Sequence, residues 1–101
     1  MPSVMIPPNK NIAPRYRVPD SSIIRFNLEA DIAVQTYIVR PAGLALFNEG
    51  KHNFKYYGGF PAARKNQSQT LVLPFEGIWH LLIINRNTEE AAVVDYSVYY
   101  E

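Results

Sequence analysis

The sequence predicts one small all-β domain, an antiparallel β-sandwich of jelly-roll-like form with six to seven strands and one short helical turn. Three observations predict it. Apolar and polar residues alternate with period two along much of the chain after residue 21. Turn-forming residues recur about every eight to twelve positions, the spacing of a sandwich or barrel. No sustained helical period of 3.6 appears anywhere.

The first twenty residues stand apart. Pro2, Pro7, Pro8, Pro14 and Pro19 are five of the eight prolines. Proline fixes its own φ and restricts the residue before it, so residues 1–20 are expected to form an extended arm ahead of a domain spanning 21–101. Val4, Met5, Ile6, Ile12, Tyr16 and Val18 give the arm apolar surface to dock with. Three placements are open to it: along its own domain, where it can add a strand near residues 14–18, onto a neighbouring subunit in a homo-oligomer, or disordered in solvent.

Residues 22–29 alternate, with Ile24, Phe26 and Leu28 against Arg25, Asn27 and Glu29. Residues 32–39 are β-branched and strand-like, and Ala30-Asp31 between them reads as the turn of a hairpin. Pro41 suits a first helical position and Gly50 a helix end, so residues 41–49 are expected to form one helical turn. Residues 51–57 read as the next strand, ended by Gly58-Gly59. The polar run within 60–68 reads as a loop. Residues 70–73 form a short strand stopped by Pro74. Residues 78–85 are almost continuously apolar, the mark of a central strand covered on both faces. After the polar turn 86–90, residues 91–100 form the last strand, rich in tyrosine and a candidate edge.

Composition narrows the functional classes. A chain of 101 residues has room for one domain, and its 48% apolar content suits a packed core. No cysteine is present, which removes disulfides, thiolate metal sites and a cysteine nucleophile, and which fits a cytoplasmic setting. A net charge of +1 gives no global pull toward nucleic acid or anionic lipid. No apolar run is long enough for a transmembrane helix, and the proline-broken start does not resemble a signal peptide.

Catalysis lacks a constellation. The two histidines, His52 and His80, fall in different strands and show no metal-ligand spacing. The serines sit in no nucleophile elbow, and Gly58-Gly59 opens no helix that would cradle a phosphate. No catalytic residue, metal or cofactor is therefore expected.

The informative stretch is 50–75. Lys51, Lys55, Arg64 and Lys65 occur there with no acid between Glu49 and Glu76, interleaved with Phe54, Tyr56, Tyr57 and Phe60. Cations pair with carboxylate or phosphate and rings supply stacking surface. Lys51, Lys55, Tyr57, Arg64 and Lys65, with the lone Trp79, form the expected binding set for a small anionic ligand or a protein partner. The bland alternative puts the rings in the core and the charges in water.

Two motifs carry a resemblance. Phe54-Lys55-Tyr56-Tyr57-Gly58-Gly59, followed by Leu73-Pro74-Phe75-Glu76-Gly77-Ile78-Trp79-His80, resembles a small bacterial family catalogued as domain of unknown function 1883. The likeness covers roughly residues 21–101. It implies a sandwich-like all-β domain with no established activity. Members joined to Toll/interleukin-receptor-type domains imply a sensing role in bacterial defence. The proline-rich arm and the basic, polar stretch after Gly59 depart from the family pattern.

Overall fold

A computed structural model describes residues 3–19 and 22–100; Met1, Pro2, Asp20, Ser21 and Glu101 lie outside the described residues. The elements run β1 (Ser3–Ile6), β2 (Asn11–Ile12), β3 (Arg15–Val18), β4 (Ser22–Val39), α1 (Pro41–Asn48), β5 (Gly58–Leu73), β6 (Gly77–Ile84) and β7 (Ala92–Tyr100). The chain is all-β apart from α1, and its seven strands belong to one antiparallel sheet.

The sheet is organised by β4. The expected hairpin over residues 22–39 does not form; these residues make one 18-residue strand. Ala30-Asp31 contains neither glycine nor proline, so nothing there forces the chain to reverse. Even-numbered side chains from Ile24 to Ile38 face the main core throughout. One edge of β4 pairs with β5 along most of its length. The other edge pairs first with β7, Ile24↔Tyr100 to Ala30↔Val94, and then with β6, Gln35↔Ile84 to Val39↔His80. The change of partner coincides with breaks in register between Glu29 and Val34 and between Val34 and Thr36, where bulging bends the strand. The single sheet thus curves around one main core, nearly closing into a barrel, with β4 passing from the β7 side to the β6 side.

The loop expected over 60–68 is also strand. β5 runs through Arg64-Lys65-Asn66-Gln67-Ser68 without interruption, and residues 61–66 are exposed. Its polarity reflects exposure, not irregular backbone. At the breaks in register, side chains supply the missing bonds. Thr36 Oγ1 donates to Gln67 Oε1 at 2.5 Å and accepts from the Phe60 amide at 3.0 Å. Gln67 Nε2 donates to the Val34 carbonyl at 2.8 Å.

The arm is part of the sheet. β1 pairs with β7, while β2 and β3 pair with β6. Ile6 and Val18 are buried in the main core. The arm therefore lies along its own domain and contributes three strands where one was expected. The same pairing changes the standing of β7: β1 covers one edge of it over residues 92–95 and β4 the other over residues 94–100.

The strand expected over 51–57 is irregular chain instead. Its rings hold α1 against the outer face of β4 and β6. Phe54 meets Tyr37 at 5.2 Å and Phe47 at 6.0 Å, and Tyr56 meets Tyr37 at 5.1 Å. Val39, Leu82 and Ile84 are buried beneath this cover, with Leu44, Phe47 and Phe54 packed on them. Trp79, Leu81 and Ile83 point the other way, into the main core. β6 is thus covered on both faces, as its continuous apolar run predicts. Among the described residues no helix is long and apolar enough to cross a membrane.

Candidate functional site

The six residues expected to bind a ligand do not form one surface. Lys51, Lys55 and Tyr57 lie in the irregular segment before β5, whereas Arg64 and Lys65 lie within β5. Tyr57 lies beside Ile38 and Arg64 beside Val34, so the two stand four residues apart along β4, roughly 13 Å at the usual rise of a strand. Trp79 is withdrawn altogether. It is 0% exposed and stacks on Tyr16 with ring centroids 4.8 Å apart, so it is a core residue and offers nothing to a ligand. Alternation alone could not tell the inward face of a doubly covered strand from an interface anchor.

Arg64 sits in a groove of about 470 Å³ at the bend of β4 and β5, lined also by Asn27, Glu29, Asn66 and Ser68. Its guanidinium carbon lies 5.1 Å from the centroid of the Phe60 ring. Glu29 shares the groove and stands directly opposite Asp95 across the sheet. These carboxylates offset the field of Arg64, so the groove is not an anion site by charge. Lys51 is likewise engaged, with Nζ 3.9 Å from Glu49.

Lys55 and Tyr57 belong to a different arrangement. Lys55 Nζ lies over the Tyr57 ring at 5.1 Å, Tyr57 meets Phe75 edge-on at 4.9 Å, and the Arg40 guanidinium lies over Phe75 at 4.2 Å. The row is assembled from three places in the chain. Arg40 follows β4 and caps α1, Tyr57 immediately precedes β5, and Phe75 lies in the link between β5 and β6. Gly77, which opens β6 beside it, has φ +109°; a Cβ there would make ordinary contact with Arg40 Nη2, at 3.5 Å. Arg40 Nε is buried without a hydrogen-bond partner. No carboxylate of the described residues lies within ion-pair distance of Arg40 or Lys55. Two cations are therefore held against aromatic faces without a countercharge, an arrangement suited to an anionic group.

Sequence reading missed Arg40 and Phe75. Arg40 falls between the strand expected over 32–39 and the helical turn expected over 41–49, and Phe75 falls after the strand expected over 70–73, so neither belongs to an expected element. The usable signal was that Tyr57 and Phe75 lie one in each of the two motifs already singled out, which the fold brings into ring contact.

The histidines are placed separately. His80 Nδ1 lies 3.1 Å from the Ala13 carbonyl, fastening the link between β2 and β3, while His52 is exposed beside α1.

A second aromatic group closes the core between β3 and β7. The Tyr16 phenol is pushed up to about 12, chiefly by burial and then by Tyr96 and Tyr100. Burial also raises Tyr100, opposed by the Trp79 indole N–H that faces it. Folding therefore favours the protonated phenol of Tyr16. Its contribution is complete below the unfolded value of 10.0 and is lost as pH rises from there to about 12. In an alkaline unfolding series, Tyr16→Phe should remove part of the stability loss in that window. An unchanged alkaline limb would contradict the assignment.

Compared with known family models and curated proteins, the chain matches none.

Proposed function

We propose that this chain is a non-catalytic recognition module that binds an anionic group, carried by a small ligand or by a protein partner, at the row formed by Arg40, Phe75, Tyr57 and Lys55. The observation that carries the reading is Arg40: its guanidinium is held on Phe75 at 4.2 Å, its Nε is buried and unpartnered, and no carboxylate pairs with it. A guanidinium held by a ring loses less freedom on binding than a solvated one, and its fork geometry suits phosphate or carboxylate. The contact between Tyr57 and Phe75 supports the same reading, because it joins the two motifs that carry the family resemblance. That resemblance adds the proposal that recognition serves a sensing role in bacterial defence, in the cytoplasm. Arg64, Lys65, Lys51 and Trp79 are not part of the proposed surface.

The test is a titration of the folded protein with inorganic phosphate and with ATP, followed by amide chemical shifts. Shifts are expected at Tyr57, Phe75 and Gly77. Lys55→Gln should weaken binding about tenfold, the loss of one charge-assisted contact, and Lys55→Gln with Arg40→Gln should abolish it. Arg64→Gln should bind as the unaltered chain does. Lys55 is exposed, so its loss should leave the melting temperature unchanged. Equal titrations for Lys55→Gln and the unaltered chain would sink the proposal.

A further inference from the structure

α1 covers only part of the outer face of the sheet. Beyond it, β5, β4 and β7 lie side by side. The register sets Asn66, Glu29 and Asp95 in one row and Ser68, Asn27 and Ser97 in the next. Residues directly opposite each other point to the same side, so both rows share this face. Two hollows open on them. The groove of about 470 Å³ that holds Arg64 is joined by a second of about 210 Å³, lined by Asn27, Leu28, Glu29 and Asp95. Asn27, Leu28 and Glu29 belong to both, so the hollows continue one another across three strands. That distance is roughly 10 Å at the usual strand spacing, about the length of two joined sugar rings.

The walls disfavour most other ligands. Leu28 is the only apolar residue in either lining. An apolar ligand would strip water from the polar groups without replacing its hydrogen bonds. Arg64 opposes Glu29 and Asp95, so a simple anion or cation meets charges of both signs. Among the described residues no third carboxylate or imidazole joins Glu29 and Asp95 to make a metal-ligand set. What remains is a dense group of hydrogen-bonding side chains, several of them fixed. Gln67 Nε2 donates to the Arg64 carbonyl at 3.2 Å, and the Phe60 ring holds the guanidinium. Ser68 Oγ donates to Asn27 Oδ1 at 2.7 Å, which leaves Asn27 Nδ2 to donate to a ligand. The Glu29 carboxylate and the Asn66 amide have no partner among the described residues.

The facing carboxylates are a second indication. Like charges directly opposite each other destabilise a sheet. Ser3 Oγ donates to Asp95, and no cation pairs with either carboxylate among the described residues. Ligand hydroxyls donating to both would relieve the repulsion. A hydroxyl also accepts, and so suits Arg64 and the two amides as well. Tyr99, 51% exposed, stands diagonally across from Asn27 on the same face, where its ring can cover the apolar side of a sugar.

We propose that this groove binds a neutral carbohydrate, two or more sugar units long, lying across β5, β4 and β7. Glu29 and Asp95 accept from its hydroxyls, and Arg64, Asn27 and Asn66 donate to them. The site shares no residue with the Arg40–Phe75 row and does not rest on the anion-binding reading.

Amide chemical shifts during titration of the folded protein with maltose, cellobiose and N,N′-diacetylchitobiose test it. At least one of these sugars should bind in the millimolar range. It should move the amides of Glu29, Asn66 and Asp95 and leave Tyr57 and Phe75 unmoved. Binding should not weaken as sodium chloride is raised, because the ligand is uncharged. Glu29→Gln should weaken it about tenfold, the loss of a charge-assisted contact. The melting temperature of that variant should hold or rise, since the facing charges are relieved. Asn66→Ala should also weaken binding, and Lys55→Gln should not. No shift with any of these sugars would overturn the proposal. So would shifts indifferent to both Glu29→Gln and Asn66→Ala, or a response at Glu29 and Asp95 to calcium chloride alone.

Discussion

Asn85→Leu is expected to lower the stability of the chain by about 4 kcal/mol, since three or four polar groups lose a buried partner at roughly 1–3 kcal/mol each. Asn85 is fully buried at the end of β6. Its Nδ2 donates to the carbonyls of Ile6 at 3.0 Å, Pro7 at 3.3 Å and Glu90 at 2.9 Å, and its Oδ1 accepts from the Asn87 amide at 3.0 Å. One side chain therefore ties the end of β1 to the turn between β6 and β7. Its backbone amide adds a bond to the Lys10 carbonyl at 2.9 Å. Leucine fills similar volume but leaves those groups unpaired, and no packing gain offsets that. In a domain of this length the loss corresponds to a fall in melting temperature of roughly 20 °C. Trp79 is the single tryptophan and is buried, so its fluorescence reports the transition in urea. Amides of β1 should also exchange faster than those of β4, because the fastening of the arm is what the substitution removes. Asn87→Ala is the contrast. Asn87 Oδ1 accepts from the exposed amides of Glu89 and Glu90, where water can substitute, and its loss should cost about 1 kcal/mol. A loss below 1 kcal/mol for Asn85→Leu would mean that the arm is not held through this residue.

The dependence of the core on the arm was partly legible in the sequence. Its proline spacing excludes helix, and its apolar residues require a surface to cover. The assignment of that surface was not legible, because β1, β2 and β3 attach to strands about 60 to 90 residues further on, and nothing local encodes such pairings. The error over β4 was avoidable. With a two-residue turn at Ala30-Asp31, Leu28 stands opposite Ala33 and Phe26 opposite Gln35, so Val34 and Ile38 fall on the polar face. An uninterrupted strand places Ile24, Phe26, Leu28, Val34 and Ile38 on one side, and only that arrangement builds a single core. The error over β5 has another cause. Hydrophilic character signals a loop only where the backbone is irregular; at a bent edge strand both faces meet water and periodicity disappears while the backbone stays extended.

The candidate site was legible in composition but not in geometry. Lys55 and Tyr57 were identified from the mixture of basic and aromatic residues. Their partners Arg40 and Phe75 come from segments 15 residues upstream and 18 residues downstream, counted from Lys55 and Tyr57 respectively. What brings the three segments together is the way β5 begins. The Tyr57 amide donates to the Ile38 carbonyl at 2.8 Å, setting the ring of Tyr57 at the end of the β4–β5 ladder where Phe75 returns.

That entry into β5 is also where a single methyl group should do most damage. Gly59→Ala is expected to cost about 4 kcal/mol or more, at the upper end of single-residue effects. Gly58-Gly59 reads in the sequence as the end of a strand, whereas it begins one. Gly59 has φ +110°, a region that side-chain-bearing residues rarely adopt and that alone costs on the order of 1–3 kcal/mol. A Cβ there would lie 2.3 Å from the Thr36 carbonyl oxygen and 2.8 Å from the Tyr37 Cα, both backbone atoms of the paired strand. Neither can rotate away, so the ladder of β4 and β5 must separate locally. The separation endangers the Gly59 amide bond to Gln69 Oε1 at 2.8 Å and the Phe60 amide bond to Thr36 Oγ1 at 3.0 Å. Gly58→Ala meets different neighbours. Its closest contacts are Gln69 Oε1 at 2.7 Å and Leu71 Cδ1 at 2.8 Å, the far ends of side chains that can turn aside. Its cost should stay near 1–2 kcal/mol, an overpacking effect. Urea denaturation of the two variants side by side decides the matter. If Gly58→Ala proves as damaging as Gly59→Ala, the requirement is general crowding at the start of β5, and not the close approach of its backbone to Thr36. A selective loss in Gly59→Ala should also release Tyr57 from Phe75, so the phosphate-induced shifts at both residues should fall with it.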